Sequence, residues 1–152
     1  MVRLSRKTLL ALEAVIDIAY NARPEPVQAR EITARQGVPQ RYLEQVMQQL
    51  VRAGILKGVR GPRGGYRLAR ERRKISVGEV IRIATSFDTD AEELTGGSEL
   101  GRQVVMPIIA SLQEEVMQKL DLITIEELCT RARESGLPCD GASQTPSVDF
   151  TI

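Results

Sequence analysis

Residues 38–70, VPQRYLEQVMQQLVRAGILKGVRGPRGGYRLAR, narrow the possible folds more than any other part of the chain. The first half places Tyr42, Leu43, Val46, Met47, Leu50 and Val51 at helical spacing on one face and leaves Arg41, Glu44, Gln45, Gln48 and Gln49 on the other. Gly54 stands where a helix would stop; Ile55, Leu56 and Val59 then predict one short strand, and Tyr66, Arg67 and Leu68 a second. Between them lies the turn Arg60, Gly61, Pro62, Arg63, Gly64, Gly65, which is cationic and cannot be packed inside. A helix exposing Arg and Gln, followed at once by a basic β-hairpin, is the arrangement by which a winged helix occupies one DNA groove and touches its neighbour.

The charge distribution agrees with a polyanionic partner. The whole chain carries a net charge of only +1 over its 152 residues. Residues 1–85, however, hold 17 Lys/Arg against 7 Asp/Glu, and residues 86–152 hold 4 against 13, so the two parts carry +10 and −9. Phosphate attraction is the dominant sequence-independent term in nucleic-acid binding, and a solvated basic face becomes the weaker explanation once it is coupled to a helix and wing.

Taken in order, the opening predicts a helix of about 17 residues with Ser5 as its N-cap and Leu9, Leu12, Val15, Ile16 and Ala19 along one side. Arg3, Arg6 and Lys7 gather at its start, and Pro24 and Pro26 end the segment in an extended link. Residues 29–36 then read as a supporting helix, with Val27, Ile32 and Ala34 as candidate buried positions. Gly37 makes the turn and residues 39–53 form the reading helix. Ser76 with Glu79, and Thr124 with Glu127, are capping boxes that open two later helices. Residues 102–120 place Val105, Ile109, Leu112, Val116 and Leu120 in one stripe, interrupted in pattern by Pro107, which must lie in a first turn or kink the helix. Such an uncovered stripe marks an interface, so these five residues are the expected contacts of a homodimer. Residues 87–101 are acidic and read as a flexible connection, while residues 137–152 read as a tail in which Val148, Phe150 and Ile152 alternate like a strand.

Enzymatic chemistry finds little support. The sequence contains no histidine, which removes Ser-His-Asp, Cys-His and histidine-metal arrangements, and the glycines of the turn lack the lysine and strand-to-helix context of a nucleotide loop. No apolar run approaches the roughly 20 residues of a membrane helix. The first residues lack a secretory core, so a cytoplasmic location with no membrane partner is expected. Two cysteines suit a reducing compartment: Cys129 reads as a small buried hydrophobe, and Cys139, after Pro138, as a solvent-reached thiol that is a candidate for redox or cluster chemistry.

YLEQ, then RAG, then VRGPRGGYRLAR strongly resembles the IscR-type iron-sulfur cluster regulators, one branch of the Rrf2 superfamily of bacterial transcription factors, and the likeness extends from Met1 to about Leu128. The resemblance implies a mainly α protein with a small β-hairpin wing, a winged helix-turn-helix carrying a long dimerisation helix. It implies double-stranded operator DNA as partner, with Arg41, Glu44 and Gln45 reading bases, Arg60 entering the minor groove, and the wing residues Gly61, Pro62, Arg63, Gly64 and Gly65 beside it. By the same resemblance Arg3 and Lys7 lie near the phosphate backbone, and residues 102–120 cross their twin in a homodimer. Two departures stand out. Arg63 replaces the glycine usual in the family, adding a cation to the wing. The three cysteines and the histidine that cluster-binding members carry near residues 87–101 are missing, so a 2Fe-2S cluster is implied by the resemblance while its usual ligands are absent. The organisation expected is a DNA-binding domain at 1–85, then linker, dimerisation helix and last helix at 86–136, and a tail at 137–152. The function expected is a homodimeric repressor sensing iron-sulfur or redox state, with a cluster-free thiol regulator or a winged-helix protein-interaction module as alternatives.

Overall fold

The computed structural model of the chain describes residues 4–87 and 97–139. Helix α1 (Arg6–Tyr20) begins where the Ser5 hydroxyl accepts the Thr8 amide at 3.2 Å. It packs against α2 (Ala29–Gln36), α3 (Gln40–Arg52), α4 (Val77–Ser86) and α6 (Ile125–Glu134), so it is covered on several sides. Its core residues are therefore Leu10, Ala11, Ala14, Val15, Ile18 and Ala19. The stripe expected from the sequence is rotated by comparison: Leu9 stays 44% exposed, and Leu12 and Ile16 are only half-buried. A helix surrounded by neighbours has no single apolar face for periodicity to find.

Asp17 is the exception in this apolar surface. Its carboxylate is buried and accepts from the Arg35 guanidinium at 2.7 and 2.9 Å and from the Gln36 amide at 3.0 Å. A buried charge persists only when it is paired and hydrogen-bonded, so this network ties α2 to α1 in one orientation. Helix α2 spans the range expected, with Ile32 buried, but Ala34 is exposed because the short helix turns only one side inward. Its start is closed by Glu31, whose carboxylate accepts the Gln28 amide at 2.7 Å and the Arg23 guanidinium at 2.7 and 2.8 Å. Partial burial opposes ionisation of Glu31, but the Arg23 hydrogen bond, the Gln28 amide and the charges of Arg23 and Arg35 outweigh it and hold its pKa below the ordinary 4.5. A depressed folded-state pKa stabilises above the unfolded value and is lost as pH falls through the folded one. The Glu31→Gln variant is therefore expected to lose part of the wild-type fall in urea stability below about pH 4.5, measured by denaturant unfolding at stepped pH.

Gly37 (φ 67°) and Pro39 separate α2 from α3, which buries Leu43, Val46, Met47 and Leu50. The hairpin follows as β1 (Leu56–Val59) and β2 (Gly65–Leu68), antiparallel with Leu56 opposite Leu68 and Val59 opposite Gly65. A short 3₁₀ turn, Arg72–Lys74, leads to α4, capped by Ser76 on the Glu79 amide at 3.1 Å. Beyond residue 96, a π-turn, Gly101–Val105, runs into α5 (Met106–Asp121). Pro107 lies in the first turn of α5, and the wider π-turn before it absorbs the missing amide bond. Thr124 caps α6 on the Glu127 amide at 3.1 Å, and Gly136 (φ 76°) ends the last turn.

The end of α5 is fastened to the rest. Ser76 and Thr124 form an isolated β-bridge, with the Val77 amide on the Ile123 carbonyl at 2.8 Å and the Ile125 amide on the Ile75 carbonyl at 2.9 Å. Gly78 meets Asp121 so closely that any side chain would overlap the Asp121 carboxylate, and Arg82 grips that carboxylate from the next turn of α4. One core results, running from Leu10 through Leu43 and Ile75 to Met117, Ile125 and Cys129.

Candidate nucleic-acid interface

Because Leu43, Val46, Met47 and Leu50 bind α3 to the core, its other face is turned outward, with Arg41, Gln45 and Gln48 exposed and Glu44 half-buried. Glu44 is held on the helix surface by Gln40, whose side-chain amide donates to Oε1 at 2.9 Å. The hairpin stands next to this helix because Gly54 (φ 80°) reverses the chain and the Ile55 amide returns to the Leu50 carbonyl at 3.1 Å. Ile55 and Leu56 are buried beneath the hairpin, and Lys57, Arg60, Gly61, Pro62, Arg63 and Arg67 are exposed on it.

The wing glycines divide their work. Gly61 takes φ 114°, a conformation that only glycine adopts without strain, and its carbonyl accepts the Gly64 amide at 2.9 Å. Gly64 and Gly65 serve close approach instead: a Cβ on Gly65 would lie 2.7 Å from the Val27 carbonyl carbon. That contact exists because Val27 pairs with Tyr66 as a bridge, amide to carbonyl at 3.0 Å and 2.8 Å, which adds the link before α2 to the edge of β2. The Arg67 guanidinium also donates to the Pro24 carbonyl, so the wing is tied to the α1–α2 link at two points. Sequence reading missed these ties and the Asp17 network; the signal available was an aspartate amid the apolar residues of α1. Tyr66 is half-buried, and burial first, then the nearby Glu44 carboxylate, raises its phenol above pKa 10.0.

The remaining sequence candidates fall elsewhere. Lys7 lies at the start of α1, partly covered, and Arg3 is outside the described residues. Val105, Ile109, Leu112 and Val116 are 49%, 37%, 52% and 48% exposed, with Val104 and Ile108 beside them. Leu120 departs from this stripe, because near the fastened end of α5 it packs partly into the chain's own core. Cys129 is buried; burial pushes its thiol up in pKa against the opposing Arg72 guanidinium. Cys139 is less open than expected: its thiol donates to the Tyr20 carbonyl at 2.7 Å, and the Tyr20 hydroxyl donates to the Leu137 carbonyl at 2.6 Å. These bonds lay residues 137–139 along α1, so the segment does not hang free. Of the connection expected at 87–101, residues 88–96 lie outside the described residues, and residues 99–101 are already helical and lead into the π-turn; the suggested strand at 148–152 also lies outside the described residues. Among the described residues no group of three or more His, Cys, Asp or Glu side chains could hold a metal ion, and no helix is long and apolar enough to cross a membrane.

A helix-turn-helix, an outward polar helix and a cationic wing beside it define a winged-helix transcription regulator. The family model of Rrf2, described as iron-dependent transcriptional regulators, matches residues 4–131, and the chain belongs to that family. It is 36% identical over 128 residues to the HTH-type transcriptional regulator IscR of Klebsiella pneumoniae (strain 342), covering 83% of this chain and 78% of the relative. The IscR of Escherichia coli O1:K1 / APEC is 35% identical over 128 residues, with 83% and 79% covered. Among solved structures, T. potens IscR matches with a TM-score of 0.72 and 31% identity over 90% of this chain and 92% of that one. CymR (YrzC), the global cysteine regulator of B. subtilis, matches with a TM-score of 0.67 and 28% identity over 86% and 98%. These relatives are transcription regulators and not enzymes, and this chain is a DNA-binding transcription regulator of the same winged-helix type.

Proposed function

We propose that the chain acts as a homodimeric repressor that binds a two-fold operator, with Arg41, Glu44 and Gln45 on base edges in the major groove and Arg60 at the tip of the wing in the minor groove. The observation that carries this reading is the outward polar face of α3 standing beside the exposed cations of the hairpin. Arg63 and Gly61, Pro62, Gly64 and Gly65 shape the wing around Arg60, and Arg3 and Lys7 supply phosphate contacts at the start of α1. Val105, Ile109, Leu112 and Val116 form the subunit contact, since a solvent-facing apolar stripe on a helix fits a second copy better than water. Arg60→Ala is expected to weaken operator binding by about 1–3 kcal/mol, and Lys74→Ala, exposed on the 3₁₀ turn, by much less. Equal losses in fluorescence-anisotropy titrations at one salt concentration would remove Arg60 from the groove.

A cluster effector fits the donor set poorly. Histidine is absent from the sequence, Cys129 is buried among apolar side chains, and the Cys139 thiol is engaged by a backbone carbonyl. A second reading, regulation by oxidation of Cys139, is favoured by that same contact, because converting the thiol to a sulfenic acid with a peroxide, releasing water, changes the group that holds residue 139 to Tyr20. Peroxide is expected to alter the DNA affinity of the wild-type chain and leave that of Cys139→Ser unmoved; equal responses in gel shifts would discard Cys139 as the sensor.

A further inference from the structure

The Glu44 carboxylate sits on the DNA-facing side of α3 without an ion pair: among the described residues no lysine or arginine bridges it, although Arg41 shares its helix. An uncompensated carboxylate brought near phosphates opposes binding unless the DNA itself supplies a proton donor to it. In the major groove only cytosine N4 and adenine N6 offer such amino groups. The partner that the structure does give Glu44 is neutral. Gln40, one turn earlier at the first position of α3, donates from Nε2 to Oε1 at 2.9 Å. This bond leaves the carboxylate its full charge and leaves Oε2 free, while restricting the side-chain rotation that would otherwise let Glu44 swing away from the groove. Tyr66, anchored through its backbone to Val27, brings its phenol near Glu44 from the wing side.

We propose that Gln40 is a positioning residue for specificity: its amide holds the Glu44 carboxylate so that the free oxygen accepts from a base amino group, selecting cytosine or adenine and rejecting guanine and thymine at one operator position. The proposal rests on the assignment of Glu44 as a base reader. The Gln40–Glu44 bond is weak on an exposed helix, but once the groove excludes water a misdirected carboxylate has nothing to pair with, and the holding bond gains in consequence.

The test is selection of bound duplexes from a randomised pool with the full chain, comparing wild type, Gln40→Met, Glu44→Ala and the double variant. Methionine keeps the length and helix propensity of glutamine and removes the donor. Glu44→Ala is expected to flatten base preference at one position, and Gln40→Met to lower preference at that same position by at least about threefold, less than the loss of a whole base contact. The double variant is expected to match Glu44→Ala, since nothing remains to be positioned. A purely structural role would instead lower affinity for all sequences alike, and that outcome overturns the proposal. A change at a different position overturns it too, because Gln40 would then be reading a base itself. If Glu44→Ala leaves every position unaltered, the underlying assignment fails first, and the proposal falls with it by a distinguishable route.

Discussion

Ile109→Asp is expected to convert the protein from dimer to monomer and to abolish operator binding at concentrations where the wild type saturates. Ile109 lies at the middle of the α5 stripe and is its least exposed member, at 37%, flanked by Val105, Leu112 and Val116. In the proposed two-fold dimer the same residue enters the contact from both subunits, so one substitution buries two unpaired carboxylates. Leaving a buried charge without a partner costs about 3–5 kcal/mol, so even one of the two raises the dimer dissociation constant by roughly two to four orders of magnitude. Sedimentation velocity distinguishes the outcomes directly. A variant that still sediments as a dimer would transfer the interface to another surface. The isolated winged helix should remain folded, because Ile109 contributes nothing to the buried core of its own chain.

Gly65→Ala is expected to unseat the wing. The added methyl would overlap the Val27 carbonyl and lie 3.0 Å from the Gln28 amide, and all of these neighbours are backbone atoms that cannot rotate aside. Strand β2 must move off Val27, which loses the two hydrogen bonds of the Val27–Tyr66 bridge and leaves their groups to find water. Strain and lost bonds together are expected to cost about 2–3 kcal/mol in urea unfolding. Operator affinity should fall as well, since Arg60 would no longer be held beside α3. Gly58→Ala is the matched control: it lies in the facing strand, has open space around its Cβ position, and should change stability by less than about 0.5 kcal/mol. Similar effects at the two glycines would mean that the wing rests on β1 alone.

These two sites differ in how far the sequence announces them. The stripe on α5 is written in spacing although the chain itself leaves it exposed, and the buried face of α3 is written in spacing because that helix has one covered side. The capping residues Ser5, Ser76 and Thr124 were equally legible, since a cap is a local device. Gly65 is different. In sequence it is one of three glycines at a turn, and only the pairing of Val27 with Tyr66, residues far apart in the chain, separates its role from that of Gly61. The same holds for Leu9 and Leu12, whose expected burial depends on which of five neighbouring elements covers each side of α1. Proline and aspartate flanking Cys139 predict an open thiol; the carbonyl that engages it belongs to Tyr20, at the other end of the chain. What spacing cannot carry is contact between segments that have no period in common.

The fastening of α5 at one end gives the helix a mechanical character. Its last turn is locked to α4 and to the start of α6 through Gly78, Arg82, Asp121 and the Ser76–Thr124 bridge, while the turns before it carry exposed apolar side chains away from that anchorage. Residues 101–121 extend for about 30 Å, so a helix held in the core from Met117 to Asp121 acts as a lever whose long arm runs back toward the π-turn. A tilt of about 5° at the pivot displaces the far tip by roughly 3 Å. In the proposed dimer, with two such helices packed along their apolar stripes, the same tilt would turn one winged helix relative to the other, and a small push near residue 101 would be felt as a change in the distance between the two copies of α3.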